Sequence, residues 1–120
     1  MATQRKIVAI VDDDTSMRVG LDRLLQARGF GTEVFASAEA FLDAASAADC
    51  LLLDINLTGM SGFDLRRRLS SAGSRLPVIF MTAFDDEATR HHAANLGCVA
   101  YLRKPFAGQL LIDAIADATD

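Results

Sequence analysis

At 120 residues the chain is long enough for one domain with a real hydrophobic core, and 51% hydrophobic against 23% charged residues is an ordinary globular balance. A formal net charge of −4, with its densest basic cluster (Arg66, Arg67, Arg68) short and mixed with apolar residues, argues against direct nucleic-acid binding. No apolar run approaches the roughly 18 residues that span a bilayer, and Cys50 and Cys98 form no metal or redox motif, so both read as small buried hydrophobes in a reducing compartment.

The opening MATQRKIVAIVDDD pairs two basic residues with an apolar run too short for a signal peptide, and a cytoplasmic protein is expected. Its apolar part, 6–11, is nearly continuous, as in strands buried on both faces of a parallel sheet. The run ends in three aspartates, Asp12, Asp13 and Asp14. A helix is predicted over 15–28, with Met17, Leu21, Leu24 and Leu25 on one stripe and Gly29 at its end. Asp14 reads as the cap of that helix. A weaker strand over 32–36 follows, then a helix over 38–47 capped by Ser37 and carrying Phe41 and Leu42.

CLLLD (50–54) is a second continuous apolar run, closed by Asp54. The next helix, 62–71, starts after Ser61 with Asp64 three residues on, the pattern of a capping box. PVIFM (77–81) is a third buried strand, with Thr82 just beyond it. A helix over 86–95 stops before Gly97; His91 and His92 sit adjacent within it and so face different ways, which argues against a shared metal. VAYL (99–102) is the last strand, with Lys104 and Pro105 beyond it, and a helix over 107–118 aligns Leu110, Leu111, Ala114, Ile115 and Ala118.

Five β-α units in a row predict an α/β domain over residues 1–120, with a parallel sheet and right-handed crossovers. In such open sheets, ligands bind beyond the carboxyl ends of the strands where strand order reverses, which for the flavodoxin-like order 2-1-3-4-5 lies between strands 1 and 3. Asp12 and Asp13 end strand 1 and Asp54 ends strand 3, so the fold brings three distant carboxylates into one crevice. They need a counter-charge, or one must protonate. Mg²⁺ fits best, because it keeps its waters and pairs one or two carboxylates with a phosphate. Thr82 and Lys104 add a hydroxyl and an ammonium beside the acids, a set that suits a doubly charged phosphoryl group.

The motifs IVDDD, LLLDINLTGMSG, VIFMTA and YLRKPF, in this order and spacing, resemble the receiver domain of bacterial two-component response regulators, over essentially the whole chain. The AFDD segment is similar to receivers of LuxR-type regulators, and stand-alone receivers are equally compatible. The resemblance implies a five-stranded (βα)₅ fold with helices on both faces. It implies that Asp54 accepts a phosphoryl group from a sensor histidine kinase or phosphotransfer protein. Asp13 would ligate Mg²⁺ directly, Asp12 mostly through water, and the Asn56 carbonyl would complete the set. Thr82 and Lys104 would bind phosphoryl oxygens, and Tyr101 would be the aromatic switch partner of Thr82. The Lys104–Pro105 bond would be cis. The fourth helix, fifth strand and fifth helix would form the face read by a downstream target, an attached output domain or a second copy.

Two departures carry expectations. Thr58 stands where many receivers have proline, which predicts a looser loop behind Asp54. Phe84 is bulky near the phosphoryl entrance, which predicts a longer-lived phosphoryl group. Two other classes compete with the signalling reading: a metal-dependent small-molecule phosphatase or phosphotransferase, and a pseudo-receiver that never takes up phosphate. Against the enzyme, the chain has no cap segment to enclose a substrate and no obvious general acid. Against the pseudo-receiver stands the complete Asp54, Thr82 and Lys104 set.

Overall fold

A computed structural model describes residues 5–120. Ten elements alternate strictly: β1 (Ile7–Val11), α1 (Thr15–Ala27), β2 (Gly31–Phe35), α2 (Ala38–Asp43), β3 (Cys50–Asp54), α3 (Gly62–Ser71), β4 (Val78–Thr82), α4 (Glu87–Leu96), β5 (Ala100–Arg103) and α5 (Gly108–Thr119). The five strands form one parallel sheet in the order β2-β1-β3-β4-β5, as the repeated β-α pattern predicts.

Apart from Asp54 and Thr82 at the ends of β3 and β4, the central strands are apolar because both faces are covered. Val8 and Ile10 of β1, Cys50 and Leu52 of β3, and Ile79 and Met81 of β4 pack with Leu21 and Leu25 of α1 and Leu111 and Ile115 of α5. The alternate residues Ala9, Val11, Leu51, Leu53, Val78 and Phe80 pack with Phe41 of α2, Leu65 of α3 and Ala93 of α4. Period-two alternation thus divides each strand between two cores, one on each side of the sheet. Among the described residues, no helix is long and apolar enough to cross a membrane.

The capping residues act as the sequence suggests. Asp14 Oδ1 accepts from the Met17 N–H at 3.0 Å, and Ser37 Oγ accepts from the Ala40 N–H at 3.0 Å. Ser61 and Asp64 form a full capping box, in which Ser61 Oγ accepts from the Asp64 N–H and the Asp64 carboxylate accepts from the Ser61 N–H. Most boundaries fall within a residue or so of expectation. The exception is α2, which stops at Asp43 rather than running to residue 47. There Ala45 turns to φ 47°, and the Ser46 hydroxyl is drawn across to the Glu33 carboxylate while accepting from the Ala48 N–H. Alanine's helix preference yields to this tertiary bonding.

Candidate functional site

Parallel register carries the chemistry to one end of the sheet. Val11 pairs with Leu53, Asp54 with Met81, and Thr82 with Arg103. Asp12, Asp54, Thr82 and Lys104 therefore come off four adjacent strands in a single row. Main-chain bonds extend the ladder past the strand ends: Ile55 N–H to the Met81 carbonyl at 3.0 Å, and Lys104 N–H to the Thr82 carbonyl at 2.8 Å. The Lys104–Pro105 peptide bond is cis.

Asp12, Asp54 and Thr82 are the buried polar side chains among the described residues, and each has partners. Lys104 Nζ bridges two acids, donating to Asp12 Oδ2 at 2.8 Å and to Asp54 Oδ2 at 3.2 Å. Asp12 Oδ1 accepts from the Asp14 N–H at 2.9 Å, and Asp54 Oδ1 accepts from the Asn56 N–H at 3.0 Å. Burial pushes the Asp54 carboxyl up; the Asn56 N–H and the Lys104 charge pull against this, the Asp12 charge adds to it, and the net direction is upward. Burial pulls Lys104 down, but its hydrogen bond to Asp12 and the charges of Asp54 and Asp12 outweigh that and hold the ammonium above its ordinary range.

Oxygens of Asp12, Asp13 and Asp54 all lie within 4.8 Å of one another. Three carboxylates face one ammonium, so the ionised cluster carries two uncompensated negative charges. An all-oxygen donor set with that deficit fits a hard divalent cation.

Four features of the site were not anticipated in the sequence. The Thr58 N–H and hydroxyl both donate to Asp13 Oδ2, each at 3.2 Å. The loop expected to be looser without proline is tied instead, by a backbone donor that proline lacks. Arg18 donates to the Asp12 carbonyl at 2.8 Å, fastening the first turn of α1 to the end of β1. The Thr82 hydroxyl donates to the side-chain Oδ1 of Asn56 at 2.7 Å and accepts from the Phe84 N–H at 3.0 Å. Asp85 Oδ1 accepts from the Tyr101 hydroxyl at 3.1 Å and pairs with Arg90 Nε at 3.1 Å. Burial, then the bond to Asp85, pushes the Tyr101 phenol up to about 12. All four turn on side-chain direction in loops or first helical turns, where periodicity is silent.

Phe84 borders the site, 69% exposed, and its backbone N–H is what reaches Thr82. Other residues singled out in the sequence lie away from the acids. His92 packs on Phe63 with ring centres 4.3 Å apart, and its Nε2 lies 2.8 Å from an Arg67 nitrogen. Arginine only donates, so this ring nitrogen accepts. Cys50 is buried, its thiol pushed up to about 11 by burial, and Cys98 is half-buried and also raised. Neither is an activated thiol. Two clefts of about 430 and 450 Å³ open at the other end of the sheet, around Pro77 where β4 begins.

The family model for the response regulator receiver domain matches residues 8–116. The chain belongs to that family. It is 36% identical to nodulation protein W of Bradyrhizobium diazoefficiens over 121 residues, which cover 99% of this chain and 53% of that protein. It is 34% identical to response regulator protein TodT of Pseudomonas putida over 120 residues, 98% of this chain and 53% of TodT. The crystal structure of FixJ-N superposes with a TM-score of 0.89 at 34% identity, covering 98% of this chain and 95% of that one. The receiver therefore spans about half the length of the curated relatives it matches. Receiver domains are the phosphoacceptor part of two-component response regulators, signalling modules rather than classical enzymes, and they bind Mg²⁺ through acidic residues of the kind clustered here.

Proposed function

We propose that residues 1–120 form a single receiver whose Asp54 accepts a phosphoryl group from a sensor histidine kinase or phosphotransfer protein. The observation that carries this reading is the Asp54 carboxylate, buried between Asp12 and Lys104 and one strand from Thr82. Asp13 and Asp54 would hold Mg²⁺ directly, Asp12 mostly through water, and the Asn56 main-chain carbonyl would complete the protein's ligands. When bound, the cation neutralises charge on the phosphoryl oxygens.

The chain's own groups do the rest. The Asn56 N–H and Lys104 fix the Asp54 carboxylate for in-line attack on phosphorus, and the donor's P–N bond breaks as the Asp54 O–P bond forms. Lys104 then pairs with one phosphoryl oxygen and Thr82 donates to another. The new group brings about two negative charges and three strong acceptors beside the buried Thr82 hydroxyl. Tyr101 follows Thr82, and the face formed by α4, β5 and α5 passes the change to a downstream protein, an attached output domain or a second copy. A cytoplasmic location suits this chemistry.

The test is intact-protein mass after incubation with acetyl phosphate and Mg²⁺. A gain of about 80 Da is expected in the wild type, absent in Asp54→Asn and absent when EDTA is added first. No gain in the wild type, although Mg²⁺ binds and the fold is intact, would favour a non-phosphorylated binding module. Repeated hydrolysis of small phosphoesters would favour the enzyme.

A further inference from the structure

We propose that the side chain of Asn56 is a latch that holds the Thr82 hydroxyl in the unphosphorylated state and must let go for the switch to operate. The inference rests on the phosphoacceptor reading and assigns a regulatory role to a side chain whose main chain alone that reading uses.

A threonine hydroxyl has one hydrogen to give. Here Thr82 gives it to Asn56 Oδ1 at 2.7 Å, and it receives the Phe84 N–H at 3.0 Å. Thr82 is fully buried, so the hydroxyl is held by these two partners. A phosphoryl group on Asp54 offers the same hydrogen a charged acceptor, and charge-assisted bonds are about twice as strong as neutral ones. The two bonds exclude each other. Thr82 cannot serve the phosphoryl group while it serves Asn56.

Residue 56 is placed to sense both sides. Its N–H grips Asp54 Oδ1 at 3.0 Å, and its side chain grips Thr82 across 26 residues of sequence. The latch is also cheap to open. Asn56 is exposed, so its freed Oδ1 regains water, while the buried hydroxyl moves to a better acceptor. The strap carries the motion onward. Phe84 N–H rides on Thr82 Oγ1, and the next residue, Asp85, holds the Tyr101 hydroxyl at 3.1 Å. Release of Thr82 thus loosens the restraint on Tyr101 through two consecutive residues. A purely space-filling Asn56 would leave the buried hydroxyl with no acceptor, which is the arrangement native interiors avoid.

The experiment is titration calorimetry of the whole chain with beryllofluoride at saturating Mg²⁺, on wild type, Asn56→Ala, Thr82→Val and the double variant, with Asp54→Asn as control. Asn56→Ala keeps the main-chain carbonyl and removes the latch. At saturating Mg²⁺ it is expected to bind beryllofluoride roughly threefold to tenfold tighter, the weight of one net hydrogen bond. In the Thr82→Val background the same change should have no effect, because the hydroxyl it restrains is gone. Equal affinity of wild type and Asn56→Ala, or the same tightening with valine at position 82, would overturn the latch and leave the phosphoacceptor reading standing. A wild type that, like Asp54→Asn, takes up no beryllofluoride would instead overturn that reading, and the latch with it.

Discussion

A buried carboxylate beside another buried carboxylate is a thermodynamic cost until a cation arrives. Asp54 is 5% exposed and its carboxyl is raised above the ordinary value of 3.8, chiefly by burial. The folded protein therefore holds the Asp54 proton more tightly than the unfolded chain does. The stability this contributes is complete below about 3.8 and is lost as pH rises through the raised value. At neutral pH without metal, ionised Asp54 strains the site, and Lys104, which Asp12 also holds, offsets only part of it. Asp54→Asn removes the charge at nearly constant volume and should stabilise the metal-free protein at pH 7 by about 1 kcal/mol, or roughly 3–5 °C in Tm. The gain should shrink as pH falls from 7 toward 4, because the raised carboxyl takes up its proton at a higher pH than an ordinary aspartate. Thermal melts in EDTA at both pH values check this; a difference that does not depend on pH would contradict the account of Asp54.

At the scale of elements, the start of α3 decides how the loop after β3 closes. Gly62 takes an ordinary backbone conformation, but a Cβ there would lie 2.3 Å from the Asp54 carbonyl oxygen and 2.8 Å from Ile55 Cα. Both are main-chain atoms at the end of the acceptor strand, and the Gly62 N–H bonds the Ile55 carbonyl at 3.0 Å. Gly62→Ala should cost about 2–3 kcal/mol in urea unfolding, with Asp54 displaced and phosphoryl uptake reduced. Gly20, mid-helix in α1 with nothing within 4 Å of a built Cβ, should respond in the opposite sense: Gly20→Ala should gain about 0.5–1 kcal/mol. Equal signs at the two positions would mean that helix propensity, not close approach, governs Gly62. This contrast also marks what the sequence can reveal. The strands, the Asp14, Ser37 and Ser61 caps and the row of strand-end groups announce themselves through period, spacing and topology. Gly62, the Thr58 clasp on Asp13 and the Asp85 hold on Tyr101 do not, because each depends on a side chain or a missing Cβ meeting a remote segment. The end of α2 fails for the same reason: Ser46 bonds Glu33 of β2, and local alanine content cannot foresee it.

At the scale of the molecule, the carboxylate cluster sits at the carboxyl-terminal edge of the sheet that separates the two cores. Lys104 leads from β5 toward α5 in one core, and the loop after β3 leads to α3 in the other. A divalent cation on Asp12, Asp13 and Asp54 would fasten the loops after β1 and β3 to each other and so stabilise both halves together. Binding to the folded state alone contributes about 2.7 kcal/mol when free Mg²⁺ is 100 times its Kd. Asp13 separates this effect from folding itself. Its carboxylate is exposed, and its main listeners are the Thr58 N–H and hydroxyl, which an asparagine oxygen can also satisfy. Asp13→Asn should therefore change metal-free stability by less than about 0.5 kcal/mol, yet lose most of the Mg²⁺-dependent gain. Urea unfolding of wild type and variant, with Mg²⁺ and with NaCl at matched ionic strength, separates ion binding from screening. If the variant gained as much from Mg²⁺ as the wild type, the cation would sit elsewhere and Asp13 would be only an anchor for the Thr58 loop.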